Sequence, residues 1–248
     1  MDSNHLWFSE FAGGAFALDR LMVIRIVMIL LVSAFFFFAM RKPKLIPSGV
    51  QNVAELFLDF VRIHIAEDIL GKKEGRRFLP IIASIFFTVL AVNMSTIIPF
   101  MNVSASARVG LPLVLAVVAY IAFIYAGVKR YGFGKYVKSS LIIPGLPTWL
   151  HFIVAPIEAF STFVLRPVTL TIRLMANMLA GHIILVMLFT ATNFFFWQMS
   201  GWSLVAGGTI LFAIAFTLFE LMVIFLQAYI FALLTAVYIE LSLHADEH

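Results

Sequence analysis

From about Leu204 to Leu243 the chain runs forty residues without a proline, and between positions 209 and 240 it has no glycine either. Only Glu220 and Glu240 are charged in that tract, and the rest is almost wholly apolar. A stretch with nothing to turn it and nothing to solvate it is read as one helix in a membrane. At about 1.5 Å rise per residue it extends roughly 60 Å, about twice the hydrocarbon thickness. A hairpin would need a turn that residues 209–240 do not supply, so strong tilt is the expected solution. A second tract, about Pro156–Trp197, is of the same kind, with Pro167 as its internal breaker. Two long tilted helices therefore close the chain.

Composition agrees. Mean hydropathy is +1.04, 62% of residues are apolar and only 12% are charged, where soluble domains carry about 25%. Long unbroken apolar runs exclude a transmembrane barrel, whose segments are short and alternating. There is no cysteine, hence no disulfide or thiolate metal site. The net charge of +4 does not argue for nucleic acid, because the basic residues cluster beside apolar spans, where they orient a protein in the bilayer. Met1–Asp19 is mildly acidic and lacks the basic start of a cleavable signal.

The expectation is an all-α polytopic protein, one membrane domain over 1–248 with about five membrane helices and a surface helix. An outward segment at 1–19 leads to a first span at 20–40. An amphipathic surface helix follows at 47–71, with Val53, Leu56, Phe57, Phe60, Val61 and Ile65 as its apolar set. Further spans are expected at 78–100 and 109–131, then the long helices at 156–197 and 204–243. Lys and Arg concentrate at 41–77 and 129–138, so these loops face the cytoplasm, the N-terminus lies outside and the C-terminus inside. No internal repeat is evident, which weakens an inverted-repeat transporter.

Few polar groups remain at membrane depth: Asn93, Glu158, Arg173, Asn177, His182, Glu220 and Gln227. Arg173 is the most demanding. A guanidinium at the centre of a span costs about 2.5–3.5 kcal/mol on insertion scales and cannot discharge. Asn177, four residues on, shares its face. His182, nine residues on, points about 180° away at ~100° per residue. Glu220 and Gln227, seven apart, share a face of the last helix. Antiparallel packing would bring Glu220 near His182 and Gln227 near Arg173, and a Glu–His pair at that depth suits a proton relay. Plainer readings exist for single residues. Asn93 and Gln227 can be interhelical hydrogen-bond glue, His182 a satisfied bundle histidine, Glu158 an interfacial acid and Arg166 a boundary residue. Arg173 and Glu220 resist such readings.

At these residues the chain resembles subunit a of F-type ATP synthases. The resemblance rests on the run from Pro167 through Arg173-Leu174, Asn177-Met178 and Ala180-Gly181-His182. It is supported by Glu220, by Leu226-Gln227-Ala228-Tyr229, by Asn93-Met94 before Pro99, and by the Glu247-His248 ending. It implies two offset aqueous half-channels flanking a rotating ring of c subunits. Arg173 would correspond to the family's essential arginine, attracting a ring carboxylate and separating the half-channels. His182 and Glu220 would belong to the outward half-channel, and Glu158 with Ser161 to the cytoplasmic one. Asn93, Asn177 and Gln227 would line the pathway or orient Arg173. The chain differs in having one more residue between Glu158 and Pro167 than many relatives, and Ser95 and Thr96 where some have an acid. Implied partners are the c ring, b-type peripheral stalk subunits, the other ATP synthase subunits and membrane lipids, with no nucleic acid, cofactor, metal or catalytic site of its own. The alternatives are a self-contained proton-coupled transporter, an intramembrane enzyme such as a metalloprotease, and a structural scaffold. The second is poorly supplied, since six histidines include no His-Glu-x-x-His pair. The scaffold leaves Arg173 unexplained.

Overall fold

The computed structural model describes residues 20–41, 49–97, 110–134, 154, 156–157, 160–161, 165–197 and 203–244. The chain is an all-helical polytopic membrane protein, with no strand among the described residues. Its elements are α1 (Arg20–Met40), α2 (Val50–Val61), a π-helical turn over Arg62–Glu67, α3 (Asp68–Met94), α4 (Gly110–Tyr131), α5 (Arg166–Trp197) and α6 (Ser203–Leu243). Among the described residues five helical segments are long and apolar enough to cross a membrane, the unit of α2, turn and α3 counting as one. The 41-residue α6 is unbroken, as its lack of internal breakers requires. In α5, Pro167 lies in the first turn, where a missing N–H removes no hydrogen bond.

Between 47 and 100 a surface helix ending near 71 and a span beginning near 78 were expected to be separate. The backbone is helical on either side of Gly71 and broken at that residue, whose φ of 71° and ψ of 169° are non-helical, so two helices meet there with no longer loop between them. Past the bend the chain closes on itself so tightly that a Cβ on Gly75 would lie 2.7 Å from the Ala66 carbonyl oxygen. The apolar set of α2 also divides. Val61 and Ile65 are buried with Ala54, while Val53, Leu56 and Phe57 are exposed on the outer side. Small Ala54 lets the helix approach the bundle, and the large side chains are left for the surroundings. Helix α3 stops at Met94, short of residue 100, because Ser95 and Thr96 donate their hydroxyls to the carbonyls of Val92 (2.6 Å) and Asn93 (2.5 Å). Alanine at position 71 would have to hold a left-handed φ at about 1–2 kcal/mol. Gly71→Ala should therefore speed thermal inactivation of the detergent-extracted protein, and an unchanged inactivation rate would show that the bend is not held.

The core lies among α3, α4, α5 and α6. Ile82, Ile85, Phe86 and Val89 of α3 meet Phe123 of α4, Leu170 and Leu174 of α5, and Phe231 and Ile239 of α6. Alanines at 116, 119, 122 and 126 of α4 and at 228, 232 and 236 of α6 are buried in the same cluster. In a bilayer, helices gain little from hydrophobic exclusion, and small residues let backbones approach closely enough for dispersion to hold them. Two polar contacts fasten α4 beside α6. Ser242 donates to the Phe123 carbonyl at 2.7 Å, and the Tyr131 hydroxyl donates to the Leu243 carbonyl at 2.7 Å. The C-terminal ends of α4 and α6 thus lie on the same side, beside Lys129 and Arg130.

Candidate functional site

Helix α5 buries a stripe formed by Leu170, Thr171, Leu174, Met178, Gly181 and Leu185. At ~100° per residue, Arg173 and His182 fall on opposite flanks of that stripe, each about a quarter-turn from its centre. Arg173 is exposed and His182 half-buried. On the flank of Arg173 the exposed residues are small or polar, namely Thr169, Ala176, Asn177 and Ala180, while the bulky apolar Val168, Ile172 and Leu179 are exposed farther round the helix. Among the described residues Arg173 makes no hydrogen bond, ion pair or ring contact. A permanent cation thus looks outward from a membrane-crossing helix, about two turns from its start.

Helix α6 runs antiparallel to α5 and sets two polar residues against it. Asn177 donates through Nδ2 to Gln227 Oε1 at 2.7 Å, crossing between the helices. Gln227 is 2% exposed, and its Nε2 is buried with no hydrogen-bond partner among the described residues. The wheel reading placed Gln227 near Arg173. In the structure its hydrogen-bond partner is Asn177, one turn from Arg173 on the same face, a register that spacing along one helix cannot specify. Glu220, seven residues before Gln227, is 2% exposed. Its carboxyl packs against the Cα of Gly181, so closely that a Cβ there would overlap both oxygens and the carboxyl carbon. Glu220 is thereby brought to the residue preceding His182, although among the described residues the two form no hydrogen bond or ion pair.

The remaining candidates lie elsewhere or outside the description. Asn93 is fully buried at the end of α3, and its carbonyl accepts the Thr96 hydroxyl. Ser161 is half-buried. Glu158 lies outside the described residues. Arg166, read as a boundary residue, stacks its guanidinium over the Tyr238 ring at 5.1 Å, tying the start of α5 to α6. Among the described residues no three His, Asp or Glu side chains converge as a metal site. Gly181 entered the sequence reading only as part of the run that carries the resemblance, with no role of its own. Its signal was present: it continues the stripe Leu174–Met178 at helical spacing, and a glycine on a buried stripe marks a place where something comes close.

Comparison with known proteins gives the family. The family model described as ATP synthase A chain matches residues 21–240. The ATP synthase subunit a of Rhodococcus erythropolis (strain PR4 / NBRC 100887) is 65% identical over 236 residues, covering 95% of this chain and 86% of the relative. That of Parafrankia sp. (strain EAN1pec) is 39% identical, covering 94% and 79%. That of Streptomyces lividans is 35% identical, covering 93% and 81%. With these matches spanning nearly the whole membrane bundle, the chain belongs to the ATP synthase subunit a family and is an integral membrane protein of the bacterial plasma membrane.

Proposed function

We propose that the chain forms two offset half-channels against a rotating ring of c subunits, so that proton flow turns the ring and drives ATP synthesis. The observation that carries this reading is Arg173: an exposed cation on a helix long and apolar enough to cross a membrane, without a polar partner among the described residues. Such a charge is tolerable at depth only if an opposite charge meets it there. A ring carboxylate is the partner of the right sign. Deprotonated, it is attracted to Arg173. Protonated, it is neutral and can turn into lipid.

The sequence of events follows from that electrostatic choice. A proton enters from outside by way of Glu220 and His182 and forms the O–H bond of a ring carboxyl group. After nearly a full revolution the carboxyl meets the cytoplasmic half-channel, whose groups include Glu158 and Ser161, and gives up the proton. The carboxylate then passes Arg173, whose fixed charge bars a proton from crossing directly between the half-channels. The Asn177–Gln227 hydrogen bond holds α5 and α6 in register beside Arg173, and Asn93 closes the end of α3 near the pathway. The joined ends of α4 and α6, next to Lys129 and Arg130, support a cytoplasmic C-terminus by the positive-inside rule. Stalk subunits of the b type hold this stator against the ring's torque. The chain carries no catalytic site of its own.

Ile172 is 53% exposed beside Arg173 and offers a direct test. In the assembled complex, Ile172→Cys should form oxidative cross-links with single cysteines placed near the carboxylate of a small two-helix ring subunit. Cross-links to no such subunit, in a complex that still contains the ring, would remove the proposed interface.

A further inference from the structure

We infer that Gly181 is a positioning residue for proton transfer: its missing side chain is the space in which the Glu220 carboxyl group sits. The inference rests on the proposed role of Glu220 as a proton carrier and adds the reason that this carboxyl lies where it does. A Cβ at 181 would overlap both carboxyl oxygens and the carboxyl carbon. Glu220 is 2% exposed and Ile224, one turn on, is buried at 1%, so a carboxyl displaced from Gly181 must find new room along the α5–α6 seam. Met178 and Leu185 bury the α5 surface on either side of Gly181. A side chain at 181 therefore drives the carboxyl away from its place against Gly181 or pushes α5 and α6 apart. Separation would also stretch the Asn177–Gln227 hydrogen bond, which crosses the same pair of helices about one turn away.

Two opposing effects make the substitution informative. Alanine is a better helix former than glycine, so intrinsic propensity alone predicts that Gly181→Ala strengthens α5. The contact with Glu220 predicts loss of function. Misplacement of a reacting group by about 1 Å can cost on the order of a hundredfold, so a loss of about tenfold or more is expected.

The test is a set of substitutions in the complete ATP synthase in membrane vesicles. Proton-driven ATP synthesis is measured across a range of outer pH, and the amount of assembled complex by immunoblot. Gly181→Ala should lower the rate about tenfold at equal assembly and displace its pH profile. On a Glu220→Asp background, where the carboxyl is one methylene shorter and withdrawn from the contact, the same substitution should cost less than about twofold. Such non-additivity is the signature of residues that act through each other. An equal loss on both backgrounds would reduce Gly181 to a helix-packing role and overturn the inference. So would an unchanged rate and pH profile for Gly181→Ala alone. Glu220→Gln separates this from the underlying reading. If it leaves synthesis unchanged, Glu220 carries no proton and the proposed role fails first. If it slows synthesis while Gly181→Ala does not, only the positioning role fails.

Discussion

Arg173→Ala is expected to abolish proton-driven ATP synthesis while leaving the complex assembled. Assembly should survive because Arg173 is exposed and holds no other described residue in place. Removing it also removes the insertion cost of about 2.5–3.5 kcal/mol, so the helix itself loses nothing. On the proposed mechanism, what disappears is the fixed charge that a ring carboxylate must pass. Each elementary charge crossing the membrane contributes about 2.3 kcal/mol per 100 mV, and on that mechanism the energy turns the ring only if no shorter route exists. A carboxyl at the boundary would then exchange protons with both half-channels, and the gradient would dissipate without rotation. Lysine at the position should rescue poorly. It keeps the charge but loses the delocalised, always-ionised fork, and a desolvated ammonium is prone to discharge. ATP synthesis in energised membrane vesicles, normalised to assembled complex, checks both variants. Normal coupled synthesis in Arg173→Ala would remove the mechanism.

Glu220→Gln is the second large effect. The amide matches the carboxyl in shape, so it fits against Gly181 and does not disturb the packing of α5 on α6. It cannot take up and release a proton. Positioned acids and bases contribute about 10²–10⁴-fold to proton transfers, so passive proton flux through the membrane-embedded complex should fall by about a hundredfold. Folding should not suffer, since a neutral group costs less than a carboxylate at that depth. Flux is measured from the decay of an imposed proton gradient in vesicles depleted of the catalytic head. An unchanged decay would exclude Glu220 from the pathway.

The ease with which different parts of the molecule could be read follows from what each property depends on. Helix α6 was legible because breakers are local, and 209–240 has none. Arg173 and Glu220 stood out because a charge in an apolar tract is costly whatever its neighbours. The start and end of α3 were not legible in the same way. Gly71 breaks the backbone where the surface helix was read to end, but the chain is helical again directly after it, where 72–77 reads as a loop. Ser95 and Thr96 end the helix by drawing carbonyls to their hydroxyls, an act invisible to hydropathy. The partner of Gln227 depends on how far α5 slides along α6, and no periodicity within either helix carries that information. The role of Gly181 escaped notice for a related reason. In a sequence a glycine reads as freedom of the backbone, whereas here it is room for another residue's carboxyl group.

The central claim is that Arg173 separates two half-channels across a ring carboxylate, and proton conductance through an immobilised ring tests it most directly. With the ring cross-linked to this subunit so that it cannot turn, the account predicts that the complex with Arg173 intact conducts no protons. The Arg173→Ala complex, locked in the same way, should leak them down the gradient. Equal conductance in the two locked complexes, whether both tight or both leaking, would contradict the account.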